Sequence, residues 1–250
     1  MEKYQYTSSF TIKYCDVDFQ DEIKVSTALS LMEEVACNSA EQLGFGYRYV
    51  KEKGFAFMVS NLYLEFVKPI FLAENITLST WPTPPKYAIF GREYQFFNEK
   101  QEVCIKATSR WCLIDWRSGK LLTAKALENQ DYTTYNTDTL FESVRWKIPT
   151  FDWVLLKPDY QMVVANSAYD HNMHVNNTKY ADYCLNCFSV EFLKNHYLKS
   201  FGITYVKQCK EGDCLSFYKK LQEVDEYLVE GVNQKGEVVT VCSVKFIKRK

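Results

Sequence analysis

The stretch Asn176-Asn177-Thr178-Lys179-Tyr180-Ala181-Asp182-Tyr183-Cys184-Leu185-Asn186-Cys187-Phe188 decides how the chain is read. Tyr180, Ala181, Tyr183, Cys184, Cys187, Phe188 and, further on, Phe192 recur at helical spacing. The two leading asparagines suit a helix start, because a short side-chain oxygen can accept a first-turn N–H. The spacing predicts a helix over 177–195 that is apolar around much of its circumference, and such a helix is wrapped by a sheet rather than laid on a surface. Beyond it the pattern alternates. Ile203 to Cys209, Cys214 to Leu221, Glu226 to Asn233 and Val238 to Lys248 read as strands, the last two joined by the hairpin signal Asn233-Gln234-Lys235-Gly236.

The same order stands earlier in the chain. Ser26 and Thr27 read as caps, Ala28, Leu29, Leu31, Met32, Val35, Ala36 and Leu43 follow at helical spacing, and Gly44 is a stop, predicting a helix over 26–43. Strand patterns then cover Asn61 to Phe66, Ile76 to Trp81, Tyr87 to Phe97 and Val103 to Asp115, with a turn at Asn98-Glu99-Lys100. A shift of 150 residues lays Val25 on Val175 and Cys37 on Cys187. One helix and then an antiparallel meander, twice over, is an α+β pattern. The stretch from Asn129 to Pro149 has little apolar periodicity and marks a linker. The expected organisation is a first unit over 1–130, a linker over 131–154 and a second unit over 155–250.

Composition removes whole classes of function. The 250 residues suffice for two cores, and 47% hydrophobic content with Gly 9 and Pro 6 excludes a disordered chain. Thirty Lys and Arg against 31 Asp and Glu leave no basic body for nucleic acid. The longest apolar stretch, Phe55 to Val67, is broken by Ser60, Asn61 and Glu65, far short of the roughly 20 residues that span a membrane. An odd number of cysteines, 9, scattered singly, argues against a disulfide framework and for a reducing compartment, hence the cytoplasm. The stretch Met1-Glu2-Lys3-Tyr4-Gln5 lacks a basic region followed by an apolar run, so no leader is expected.

Chemistry concentrates in Tyr169-Asp170-His171-Asn172-Met173-His174-Val175-Asn176-Asn177, where a loop enters the second helix. A helix N-terminus offers free N–H groups and the positive end of the macrodipole, which would polarise a carbonyl and hold the oxyanion formed on attack. In an extended loop, Asp170, Asn172 and His174 would project to one side. Together they could activate water, position it and shuttle a proton, which suits hydrolysis. The bland reading competes with this one: Asn176 and Asn177 cap the helix while Asp170 and the histidines decorate a turn.

His174-Val175-Asn176-Asn177, with Asp170 four residues before the histidine and Tyr180 three after the second asparagine, resembles the active-site segment of hotdog-fold thioesterases. With Asn172 included, the string resembles more narrowly the acyl-acyl carrier protein thioesterases of plants and bacteria. The resemblance covers nearly the whole chain and implies two tandem hotdog units, each a long helix wrapped by an antiparallel sheet. It implies hydrolysis of fatty acyl-acyl carrier protein to fatty acid and carrier thiol, ending or diverting fatty acid synthesis. Asp170, Asn172 and His174 match the family's catalytic residues. The resemblance casts Asp170 as base or nucleophile, Asn172 as positioner, and His174 as the group that orients Asp170 or protonates the leaving sulfur. Asn176 and Asn177 would bring the backbone oxyanion donors. Tyr205-Val206-Lys207-Gln208-Cys209 matches a family strand carrying a Tyr, two basic residues, a catalytic Glu and a Cys. Gln208 departs from that Glu and cannot act as a base, so the work falls on Asp170 and His174 or on nearby Glu211. Cys209 is assigned a supporting role.

In the family the first unit shapes the acyl cavity, with Phe55, Phe57, Met58, Trp81, Phe90 and Trp111 as lining candidates here. At the 150-residue shift, Gln20, Glu22 and Lys24 stand opposite Asp170, Asn172 and His174, so the first loop lacks the set. The partner implied is acyl carrier protein, an acidic protein for which Lys179, Lys194, Lys199, Lys207 and Lys210 are docking candidates. Other readings stay open: an acyl-CoA thioesterase, a dehydratase or isomerase on this fold, or a catalytically weak acyl or carrier binder, which Gln208 favours. No cofactor is expected. Nor is a metal, since His171-x-x-His174 lacks a third ligand and Cys184-x-x-Cys187 lies on an apolar helix. Oligomeric state, a homodimer included, is not legible.

Overall fold

Val25, Ala28, Leu29, Met32, Val35, Ala36 and Ser39 form one buried stripe along α1 (Val25–Gln42), and this stripe packs against β1 (Tyr6–Thr11) and β3 (Asn75–Pro82). After α2 (Tyr47–Glu52) come β2 (Phe55–Phe66), β3, β4 (Ile89–Phe97), β5 (Val103–Asp115) and the two-residue β6 (Leu121–Leu122). They form an antiparallel sheet in the order β1-β3-β4-β5-β2, with β6 on β5. The computed structural model describes residues 3–128 and 130–249. Met1, Glu2 and Lys250 at the chain ends, and Asn129 where the linker was expected to begin, lie outside the described residues. Two units meet between Val144 and Arg145.

The second unit repeats the order of the first, without a counterpart of β6. It runs β7 (Tyr160–Val163), α3 (Asn177–Leu185), α4 (Val190–Asn195), β8 (His196–Tyr205), β9 (Cys214–Glu223), β10 (Glu226–Asn233) and β11 (Val238–Lys248). The antiparallel order β7-β9-β10-β11-β8 is that of the first sheet. Each is a hotdog unit, and the whole is α+β. Even the last hairpins agree. Asn98 Oδ1 accepts from Lys100 N at 3.0 Å and Glu102 N at 2.9 Å, and Asn233 Oδ1 from Lys235 N and Glu237 N at 3.0 Å each. Gln101 and Gly236 occupy the left-handed corner of these turns, at φ 59° and 75°. Among the described residues no helix is long and apolar enough to cross a membrane.

Three expectations need correction. The helix expected over 177–195 is two helices, because Ser189 accepts from Phe192 N at 3.1 Å and starts α4 anew. The strand expected over Ile203 to Cys209 runs instead from His196 to Tyr205, which puts Gln208 and Cys209 in the loop beyond it. Ser26 and Thr27 do not cap α1. The helix begins at Val25, 4% exposed, with Lys24 in the cap position, and the Thr27 hydroxyl donates to Asp16 O at 2.9 Å.

Two buried carboxylates fasten the segment between the sheets, each within its own unit. Arg92 faces α1, where its Nη1 donates to Ser39 Oγ at 2.9 Å, so the next residue, Glu93, faces away. Its Oε1 accepts from Thr108 Oγ1 at 2.7 Å and its Oε2 from Leu140 N at 3.2 Å. In the second unit Glu230 Oε1 accepts from Phe151 N at 2.5 Å, and Trp153 stacks on Tyr218 beside it. Burial pushes both carboxyls above their ordinary values. A carboxyl raised in the folded state gives stability that is full below the unfolded value and is lost as pH rises through the folded one. In Glu230→Gln an amide oxygen can still accept from Phe151 without ionising. Its melting temperature should therefore gain on the wild type as pH climbs from about 4 to 8. A gap that stays constant across that range would mean the carboxyl does not titrate in the fold.

Candidate active site

Asp170 sits in a tight turn closed by a bridge between Tyr169 and Val175, not in an extended loop. Asp170 N donates to His174 O at 2.8 Å and Met173 N to Asp170 O at 3.1 Å, with Met173 left-handed at φ 60°. The carboxylate turns inward: Asp170 Oδ1 accepts from Asn172 N at 2.8 Å and from His174 N at 3.2 Å. The three expected residues thus share one turn, joined through backbone groups. Asp170 and His174 are half-buried, whereas Asn172 and His171 are exposed.

The first unit contains the same turn, which corrects the repeat register from 150 to 152. A bridge joins Val17 and Ile23, Asp18 N donates to Glu22 O at 2.8 Å, and Asp21 N donates to Asp18 O at 3.2 Å with Asp21 at φ 60°. Asp18 Oδ1 accepts from Gln20 N at 2.8 Å and Glu22 N at 3.2 Å. Asp18 therefore stands opposite Asp170, Gln20 opposite Asn172, Glu22 opposite His174 and Lys24 opposite Asn176. The first loop keeps the aspartate and, in Gln20, a longer amide, but has a carboxylate where the second has the imidazole.

Asn176 is the cap of α3: its Oδ1 accepts from Thr178 N at 2.8 Å and Thr178 Oγ1 at 2.7 Å. Its own N–H donates to Ala168 O at 2.8 Å. Both groups are thus occupied in shaping the turn, while the Asn177 N–H, at the first helical position, has no acceptor among the described residues. Two tyrosines not singled out for this purpose hold the surroundings. Tyr205 donates its hydroxyl to Asn177 O at 3.1 Å, and Glu211 N donates to the Tyr169 hydroxyl at 2.7 Å. The signal for them was a tyrosine inside each quoted motif.

Cys209 is 1% exposed and bonds with the Tyr180 hydroxyl; burial pushes its thiol up, which suits packing rather than a thiolate nucleophile. Gln208 and Lys210 are exposed in the same loop, and Lys207 pairs with Glu237 at 2.6 Å. Among the lining candidates, Phe55, Phe57 and Phe90 pack with Phe45, Leu113, Leu127 and Tyr135, the Phe57 and Phe90 rings meeting edge to face at 5.2 Å. Trp111 Nε1 donates to Ser109 Oγ at 2.7 Å, and Met58 is half-buried. Trp81 lies on the Glu93 face, its Nε1 donating to Asp138 O at 2.9 Å, away from the helix side.

A helix and an antiparallel sheet in one order, twice in one chain, define a tandem hotdog protein. The pattern of the acyl-ACP thioesterase N-terminal domain matches residues 3–125 and that of the C-terminal domain residues 159–248, so the chain belongs to the acyl-ACP thioesterase family. It is 20% identical over 230 residues to oleoyl-acyl carrier protein thioesterase 2, chloroplastic, of Arabidopsis thaliana, covering 84% of this chain and 61% of that protein. With oleoyl-acyl carrier protein thioesterase, chloroplastic, of Coriandrum sativum the identity is 21%, over 88% and 63% of the two chains. The chain thus spans less than two thirds of these plant relatives. In fold it is similar to an acyl-ACP thioesterase from Bacteroides thetaiotaomicron, at TM-score 0.87 and 23% identity over 97% of this chain and 98% of that one. The 12:0-ACP thioesterase from Umbellularia californica superimposes at TM-score 0.86 and 15% identity, over 98% of each chain.

Proposed function

We propose that this protein hydrolyses fatty acyl-acyl carrier protein to free fatty acid and carrier thiol. The observation that carries the proposal is the match of both family domains, one to each half, with Asp170, Asn172 and His174 in the turn that leads into α3. The thioester carbonyl is placed against the start of α3, where the Asn177 N–H is available to the developing oxyanion. Asn172 orients water or carbonyl from the exposed side of the turn. The second unit supplies this chemistry and the first the acyl-chain cavity, with residues 131–154 as the connection between them. Nine cysteines, all free thiols, fit a reducing compartment, and we place the protein in the cytoplasm.

The experiment is a hydrolysis screen over acyl carrier protein and coenzyme A thioesters of graded length. Turnover of carrier substrates supports the proposal, turnover of coenzyme A thioesters alone moves it to an acyl-CoA thioesterase, and none refutes hydrolysis. Carrier docking adds a salt dependence. Lys179 opens α3 just after the turn, Lys194 lies in the last turn of α4 and Lys210 in the loop after β8, and attraction between such charges and an acidic carrier acts mainly on the encounter rate. Hence kcat/KM on carrier substrates should fall as salt rises, with kcat little changed, and charge reversal at these lysines should flatten the dependence. Indifference to both would remove the carrier from the assignment.

A further inference from the structure

We infer that Asp170 is a positioning residue for His174 and not the base that attacks through water; this rests on the thioesterase reading above. The two turns make the same bonds, with lengths agreeing within 0.1 Å for each bond of the Asp18 and Asp170 pair: 2.8 and 2.8 Å, 3.2 and 3.1 Å, 2.8 and 2.8 Å, 3.2 and 3.2 Å. Around the shared aspartate each turn carries a carboxamide, Gln20 or Asn172, but where the second has the imidazole of His174 the first has the carboxylate of Glu22. What the two aspartates have in common is the backbone they hold. Each bend has a left-handed non-glycine residue, Asp21 or Met173, which is costly for an L side chain and persists only where surroundings enforce it. One carboxylate oxygen accepting two N–H groups across the bend supplies that enforcement.

The second of those N–H groups belongs to His174 itself. Removing the acceptor would free the backbone that aims the imidazole, whereas removing the charge alone would not. His174 then does the proton work. A water oxygen forms a bond to the thioester carbonyl carbon while His174 takes its proton. The tetrahedral intermediate collapses with cleavage of the C–S bond, and the imidazolium returns the proton to the departing sulfur, giving acid and carrier thiol.

The test compares Asp170→Asn, Asp170→Ala and His174→Ala for kcat, KM and pH–rate profile on the best acyl carrier protein thioester of the graded series. Asparagine keeps an oxygen at the Oδ1 position, so Asp170→Asn should keep most of the wild-type kcat and the same profile. Asp170→Ala should lose about 10²-fold in kcat, the order expected when a reacting group is displaced by about 1 Å. Asp18→Ala removes the same bonds from the first unit; it should lower the melting temperature comparably and leave kcat unchanged. The inference is overturned if Asp170→Asn falls as far as Asp170→Ala, if it removes a limb of the profile, or if Asp18→Ala loses kcat equally. Wild-type turnover in His174→Ala would instead overturn the site reading on which the inference stands.

Discussion

His174→Ala should lower kcat on acyl carrier protein substrates by about 10²- to 10⁴-fold, the range that one general acid–base group contributes. Imidazole is the side-chain class whose charge changes near neutral pH, so it can take a proton from water and return it to sulfur within one turnover. The chain offers few substitutes nearby. Gln208 is neutral, and the Cys209 thiol is buried and pushed up. His174 is half-buried in a turn held by its own backbone bonds, so truncation removes an imidazole and leaves the bend intact. KM should therefore change little, and melting should stay near that of the wild type. His171, exposed in the same turn, supplies the control: His171→Ala should turn over normally. If His174→Ala hydrolyses at near wild-type rate, the proton work lies elsewhere. Glu211, tied to the turn through Tyr169, would be the next group to truncate.

Periodicity made the elements legible. The stripe on α1 and the alternation of β10 and β11 are strong signals, and those strands run over the ranges expected. The break between α3 and α4 was hidden because Cys187, Phe188 and Phe192 continue the helical period through it, while Ser189, a single cap residue, carries the stop. The repeat was visible in its order and misplaced in its register. Val25 on Val175 is a coincidence of identity, whereas Asp18 on Asp170 is fixed by the bonds of a turn that has no periodicity to read. The candidate site was legible as a motif, yet the inward aim of Asp170 depends on the left-handed Met173, which no pattern announces. Glu93 and Glu230 look like ordinary polar alternation along a strand; they are buried because distant segments cover them.

Phe217→Ala should destabilise the second unit by about 3–5 kcal/mol, the cost of emptying a fully buried aromatic site. Phe217 is 0% exposed at the middle of β9, with the Tyr160 and Tyr183 rings 6.0 Å from its own. Across the sheet it faces Gly231, and the pairing explains why a glycine stands in the interior of β10. A Cβ on residue 231 would lie 2.6 Å from Phe217 Cε1 and 2.9 Å from Thr240 Cγ2, so the ring occupies the space a side chain would take. Gly231→Ala should accordingly cost about 1–3 kcal/mol through overpacking. The two changes share that space and cannot be independent. With Phe217 already alanine, the methyl at 231 fills part of the void and meets a much smaller neighbour. The double variant should therefore be more stable than the sum of the single losses requires. Urea denaturation of the four proteins, followed by circular dichroism, reads the coupling. Strict additivity would show that the ring and the glycine do not compete for the same volume.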